Sequence, residues 1–173
     1  MAEPLDFAID RIATPIGELI VIADREGKLR TVDWTDHEAR MKLLLDRYYG
    51  KSGYTLAPKR DPNGLSSAMR RYFKGDIAVL AALPVATAGT PFQNSVWQAL
   101  RKIADGTTIS YAELARRIDK PRAVRAAGLA NGQNPISIVV PCHRVIGSNG
   151  SLTGYGGGLE RKQWLLEHEG VAR

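Results

Sequence analysis

Asn134-Pro135-Ile136-Ser137-Ile138-Val139-Val140-Pro141-Cys142-His143-Arg144-Val145-Ile146 is the stretch around which the rest of this chain can be organised. It opens on a turn signal, runs through five mostly β-branched residues and closes on a proline followed by the only cysteine of the sequence. An apolar run of that length ending at proline predicts a buried strand, since the residue before proline is held extended. Such a strand would deliver Cys142 to a fixed place, and catalytic groups gain from rigid delivery.

A lone cysteine after an apolar strand is ordinarily an inert small hydrophobe. Here His143 and Arg144 follow it directly, and a thiol becomes a nucleophile only as thiolate, which a nearby imidazole or cation favours. Neighbouring side chains in an extended segment point apart, so Cys142 and His143 would meet through a turn or, as expected here, through a bridging water. Downstream, Gly147, Gly150, Gly154 and Gly156-Gly157-Gly158 surround Tyr155. Their backbone can let a flat ligand approach closely, or it can form a plain flexible loop. Neither a phosphate-binding loop nor a dinucleotide fingerprint is present. A last helix over Leu159–His168 is expected to turn Leu159, Trp164 and Leu165 inward. Glu169 just beyond it is either a surface carboxylate or the orienting third member of a Cys/His pair.

Upstream, Thr90-Pro91-Phe92-Gln93 combines an N-cap, a proline at the first helical position and a glutamine at the third, and predicts a helix to about Ile103 with Phe92, Val96, Trp97 and Leu100 in the core. Ser110-Tyr111-Ala112-Glu113 is a second capping box, opening a helix to about Ile118. After Pro121, Ala123–Ala130 forms a third, closed by Asn131-Gly132. Two short helices joined at Asp119-Lys120-Pro121, with Arg116, Arg117, Lys120, Arg122 and Arg125 about the turn, have the form of a helix-turn-helix. Helix pairs of this size also occur in proteins that never touch nucleic acid.

The first half reads as a separate unit. Phe7–Ala13, Glu18–Ala23 and Leu29–Trp34, divided by Thr14-Pro15-Ile16-Gly17 and Arg25-Glu26-Gly27-Lys28, predict a small antiparallel sheet, and Glu38–Tyr49 and Leu65–Phe73 predict helices. Residues 76–89 read as a connector. The fold class is thus α+β: a small sheet-plus-helix domain over 1–85, then a mainly helical domain with a helix-turn-helix over 86–173. Trp34, Trp97 and Trp164 are assigned to the core, His37 and His168 to the surface or helix ends. Residues 1–85 carry 13 Lys+Arg against 12 Asp+Glu and residues 86–173 carry 11 against 6, so the excess positive charge of +6 sits almost wholly in the second half. A polyanion partner would be met there. A single cysteine excludes an internal disulfide and makes a thiolate zinc site improbable, which fits a reducing cytoplasm. No apolar run is long enough for a membrane span.

Pro141-Cys142-His143-Arg144 with Val145-Ile146, preceded by Asn134-Pro135 and followed by Gly154-Tyr155-Gly156-Gly157-Gly158 and Arg161-Lys162-Gln163-Trp164-Leu165-Leu166, resembles the O6-alkylguanine-DNA alkyltransferases. The resemblance is dense from Thr90 to Gly170 and looser before it, where Thr14-Pro15-Ile16-Gly17-Glu18-Leu19 takes part. It implies stoichiometric, irreversible transfer of an alkyl group from O6-alkylguanine in duplex DNA, with O4-alkylthymine as an open second substrate, onto Cys142 after base flipping. In that scheme His143 is the base and Glu169 fixes its tautomer. Asn134 ties the recognition helix to the active-site segment, and Tyr111 helps to rotate the nucleotide and donates to the leaving ring. Arg125 takes the place of the extruded base, while Ala126, Ala127 and Gly128, with Arg122, present a narrow helix face to the minor groove. Val145, Tyr155 and Gly156 line the base pocket, the glycine leaving room for groups larger than methyl. No cofactor, metal or membrane partner is implied; the chain is expected to act as a monomer, with cooperative assembly on DNA left open. At this length no additional phosphotriester-repair domain is expected. Two rivals stand beside it: a lesion-binding protein without repair activity, whose known members lack the acceptor cysteine, and a Cys/His hydrolase, for which a DNA-reading helix has no purpose.

Overall fold

The computed structural model describes residues 3–171. The chain divides into two compact units between Ala88 and Gly89.

In the first unit, β1 (Leu5–Thr14), β2 (Gly17–Ala23), β3 (Leu29–Trp34) and β4 (Tyr54–Pro58) form one sheet in the order β3-β2-β1-β4. The first three make the expected antiparallel meander. The sheet is nevertheless mixed, because β4, absent from the sequence reading, pairs parallel to β1, with Leu5 opposite Tyr54 and Ile9 opposite Pro58. Its apolar pattern is weak because it is an edge strand, buried only at Tyr54, and it ends on a proline, which a sheet edge tolerates. The parallel return needs a crossover, which α1 (Glu38–Tyr49) supplies. Met41 and Leu45 of α1 pack on Phe7, Ile20, Ile22 and Tyr54. Alternation along β1 turns Asp10 to the opposite face, where it accepts a hydrogen bond from the Ser66 hydroxyl of α2 (Leu65–Phe73) at 2.7 Å. With both faces covered, Leu19–Ala23 is buried without alternation. The connector is more ordered than expected: it holds a single helical turn, α3 (Val79–Ala82), and bonds to the start of β3 through Leu29 N–H to Pro84 O and Ala86 N–H to Leu29 O.

The second unit contains α4 (Pro91–Leu100), β5 (Ile109–Ser110), α5 (Tyr111–Arg117), α6 (Val124–Gly132), β6 (Val145–Ile146) and α7 (Leu159–His168). The Thr90–Gln93 capping box is formed in both directions, at 3.1 and 3.0 Å. Trp97 is buried and its indole donates to Ala130 O at 2.9 Å, fixing α4 on α6. The second box is only half made. Ser110 Oγ accepts from Glu113 N–H, but the Glu113 carboxylate turns to Arg116, 3.2 Å away, instead of returning to the cap. The turn into α6 is a left-handed C-cap, with Asp119 at φ 59°, Lys120 N–H reaching Ala115 O and Asp119 N–H reaching Arg116 O.

The largest departure from the sequence reading lies at 136–140, which is not a strand. Its residues are buried as expected, but the backbone coils on itself: Val139 N–H bonds Ser137 O, Val140 N–H bonds Ile136 O, and Ile138 takes φ 73°. Apolar content forecast burial correctly; it could not show that the polar backbone would be satisfied locally rather than by a neighbouring strand. The sheet that the described residues form here is the short parallel pair Ile109 opposite Val145 and Ser110 opposite Ile146. On α7 the inward stripe is Lys162, Leu165, Leu166 and Glu169, one residue set round from expectation: Leu159 is exposed, and the partly covered Trp164 stacks on His168 at 4.6 Å. No helix among the described residues is long and apolar enough to cross a membrane.

Candidate active site

Cys142–Arg144 form a single 3-10 turn, entered through Pro141 at φ −82°, ψ 67°. The backbone therefore bends where the strand reading placed an extended chain, which removes the geometric reason for expecting a water between Cys142 and His143. The turn is held by side chains at the end of α6 and just beyond it. Asn134, 1% exposed, donates to Val140 O at 2.7 Å and to Ile136 O, and accepts from Ile136 N–H at 2.9 Å. Asn131, which the sequence reading treated only as a helix terminator, donates to the Cys142 carbonyl at 3.4 Å.

His143 is fully buried. Its Nε2 lies 2.8 Å from Glu169 Oε2, and the other carboxylate oxygen accepts from Arg144 Nε at 2.8 Å. Arg144 also donates to Ile103 O and pairs with Asp105 at 3.2 Å. Burial works to raise the Glu169 pKa, but His143 and Arg144 outweigh it and hold the carboxyl at about 2 instead of 4.5. Burial also sets the state of His143, pushing its ring below the usual 6.5 against the pull of Glu169, with Arg144 and Lys162 adding to the downward shift. A neutral ring beside an ionised carboxylate, which can only accept, must carry its proton on Nε2. Nδ1 is then the basic nitrogen, and it is buried with no protein partner. Glu169 is thus no surface carboxylate: its side chain is wholly enclosed.

Lys162 is the group the sequence reading missed. Fully buried, it spans the loop after the turn, donating to Val145 O at 2.7 Å and Thr153 O at 2.6 Å. The signal was its position one turn before Leu165 and Leu166, on the apolar stripe that ends at Glu169. The same loop is tied to α5, where the Tyr111 hydroxyl accepts from Thr153 Oγ1 at 3.0 Å. The glycine-rich segment is therefore fastened at Thr153. Tyr111 lies over α6 so closely that a methyl group on Gly128 would sit 3.4 Å from its ring. Tyr155 stands edge-on to His143, the ring centroids 6.5 Å apart. Val145 is buried and Gly156 half-buried.

The helix pair carries an outer stripe of Arg122, Arg125, Ala126 and Leu129, all exposed, Leu129 to 64%. Ala127, expected on that face, is instead fully buried beneath it, because the helix period turns it inward. Among the described residues no group of three or more His, Cys, Asp or Glu side chains is arranged to hold a metal ion.

A cysteine turn backed by a buried His–Glu–Arg array, next to a helix pair with a basic outer stripe, defines a candidate thiol site beside a candidate nucleic-acid surface. Residues 91–171 match the family model described as 6-O-methylguanine DNA methyltransferase, DNA binding domain. The methylated-DNA–protein-cysteine methyltransferase of Shigella flexneri is 53% identical over 161 residues, covering 93% of this chain and 94% of that protein. The protein of the same name from Methanosarcina barkeri is 41% identical, covering 92% and 95%. The crystal structure of Mycobacterium tuberculosis OGT in complex with DNA superposes with a TM-score of 0.76 at 38% identity, covering 95% of this chain and 92% of that one. The chain belongs to the methylated-DNA–protein-cysteine methyltransferase family, whose activity is DNA repair by alkyl transfer.

Proposed function

We propose that the alkyl acceptor is Cys142, that its substrate is O6-alkylguanine in duplex DNA, and that each molecule acts once. The observation that carries this is the unpartnered Nδ1 of a neutral His143 held by Glu169, in the residue next to the cysteine. His143 takes the thiol proton at Nδ1, and Glu169 offsets the charge the ring then acquires. The thiolate attacks the alkyl carbon, the carbon–O6 bond breaks, and guanine leaves with its charge reduced by donation from Tyr111. Because the Tyr111 hydroxyl accepts from Thr153, its own proton remains available to give. The product is a thioether, and with one cysteine in the sequence there is no second thiol to resolve it.

A base inside a duplex is out of reach of a buried sulfur, so the nucleotide must leave the stack, more cheaply when the lesion pairs poorly. Arg125 takes its place while Arg122, Ala126 and Leu129 lie along the minor groove, and the charge excess of the second half supplies contacts that do not read sequence. Val145, Tyr155 and Gly156 receive the base, and Asn134 keeps the turn in register with α6. The protein works as a monomer in the cytoplasm, without cofactor or metal. The test is intact mass and peptide mapping after exposure to a duplex carrying labelled O6-methylguanine. One methyl group per molecule, on Cys142 and lost in Cys142→Ala, is expected. Turnover of excess substrate would point to a hydrolase, and tight binding without label to a lesion-binding protein.

A further inference from the structure

Asn131 sits in the last turn of α6 and is 4% exposed. Its amide nitrogen makes one long bond, 3.4 Å, to the carbonyl of Cys142, and its Oδ1 is buried with no partner. The assignment of oxygen and nitrogen is fixed by chemistry, since the flipped amide would set two oxygens against each other. As a stabilising device this is a poor arrangement: a single bond at the limit of its range is set against a desolvated acceptor left unmade. A leucine of similar size would leave no such debt. Asn134, three residues on, already fastens the entry to the turn at Val140, so Asn131 is not needed to anchor the segment. What it reaches is the peptide plane joining Cys142 to His143, whose carbonyl also accepts from Val145 N–H within the turn, so Asn131 ties that plane to α6.

We infer that Asn131 is a positioning residue for the transfer reaction, fixing the Cys142–His143 peptide plane, and with it the sulfur relative to the imidazole, at the expense of fold stability. The inference rests on Cys142 as acceptor. It makes α6 carry the exposed stripe on one side and the orientation of the nucleophile on the other.

The experiment compares the parent with Asn131→Leu and Asn131→Asp, using free O6-benzylguanine as the alkyl donor so that DNA docking does not enter. Asn131→Leu is expected to melt at the same or a higher temperature and to transfer about tenfold more slowly. In Asn131→Asp the introduced carboxyl repels the Cys142 carbonyl when ionised and donates to it when protonated. The ratio of its rate to that of the parent should rise about tenfold from pH 8 to pH 5.5. His143, Arg144, Lys162 and Glu169, the charged groups of the same site, are common to both proteins and cancel in that ratio. Loss of melting temperature in Asn131→Leu with an unchanged rate of the folded fraction, or a ratio flat with pH, overturns the inference. Absence of benzyl label on parent Cys142, together with absence of methyl label from duplex O6-methylguanine, would instead overturn the proposed function.

Discussion

Glu169→Gln isolates the electrostatics of the buried array, because it keeps the shape of the side chain and removes only its ability to ionise. The parent carboxyl is held at about 2 in the folded chain against 4.5 for an unperturbed one. That difference corresponds to about 3 kcal/mol of stability. The same order follows from a buried Arg144 deprived of its enclosed counter-charge. A depressed carboxylate contributes its full stabilisation above the unfolded pKa and loses it as pH falls through the folded one, so the window here runs from about pH 4.5 down to about pH 2. At neutral pH the variant should therefore melt about 10 °C below the parent. The gap should widen below about pH 6.5, where only the parent has Glu169 to offset a protonating His143, and then close as pH falls through about 2, where the parent carboxyl itself becomes neutral. Other depressed carboxylates, Asp10, Asp24 and Asp61 among them, titrate in both proteins and drop out of the difference. His143 acts with its own sign: a lowered folded pKa means that acid favours the unfolded chain from about pH 6.5 downward, and more so in the variant, where the upward pull of the Glu169 charge is gone. The assay is thermal melting against pH for the pair, with the rate of Cys142 alkylation alongside. Loss of the charge that offsets the imidazolium should slow alkylation about 100-fold. A melting difference that stays constant from pH 7 to pH 2.5, or no difference at all, would refute the reasoning.

Three further outcomes follow from the same structure. Lys162→Met strips the carbonyls of Val145 and Thr153 of their buried donor, so amide hydrogen exchange across residues 147–158 should quicken by at least tenfold; unchanged protection would mean that the lysine does not hold the loop. Arg125→Ala should slow transfer from duplex DNA about tenfold while leaving transfer from free O6-benzylguanine unchanged, and an equal loss on both donors would place the arginine in the pocket instead of the stack. Gly156→Ser should slow benzyl transfer more than methyl transfer, and equal rates in variant and parent would show that the glycine does not set the size limit.

The sequence was most legible where a local device has one structural meaning. Thr90 with Gln93 capped its helix, and Thr14-Pro15-Ile16-Gly17 turned its hairpin. It was less legible where long-range pairing decides. β4 gains its place from β1, far away in the chain, and its own exposed residues advertise little. Of the proposed reactive constellation, Cys142, His143 and Glu169 could be singled out in advance because their chemistry is scarce and adjacent or motif-bound. Lys162 and Asn131 could not, because a lysine on a helix and an asparagine near a helix end have abundant ordinary explanations. Only their burial, and in Asn131 an oxygen without a partner, sets them apart.

The failure of the strand at 136–140 explains why those two residues are needed. A strand fixes a catalytic group by its ladder, in which each peptide is held by its neighbours. A turn has no ladder: its own short bonds, such as Cys142 N–H to Val140 O and Val145 N–H to Cys142 O, hold it internally, and donors from elsewhere fix it against the helices. Here those donors are side chains converging from two helices: Asn134 on Val140 and Asn131 on Cys142 from the end of α6, Lys162 on Val145 and Thr153 from α7. Glu169, at the close of α7, then sets the imidazole. The cysteine turn is tied to both α6 and α7, and in the proposed function the orientation of its sulfur depends on both. Substitutions along the inner stripe of α7 should therefore alter transfer from a free base as strongly as from duplex DNA, whereas those on the outer stripe of α6 should alter the duplex reaction alone.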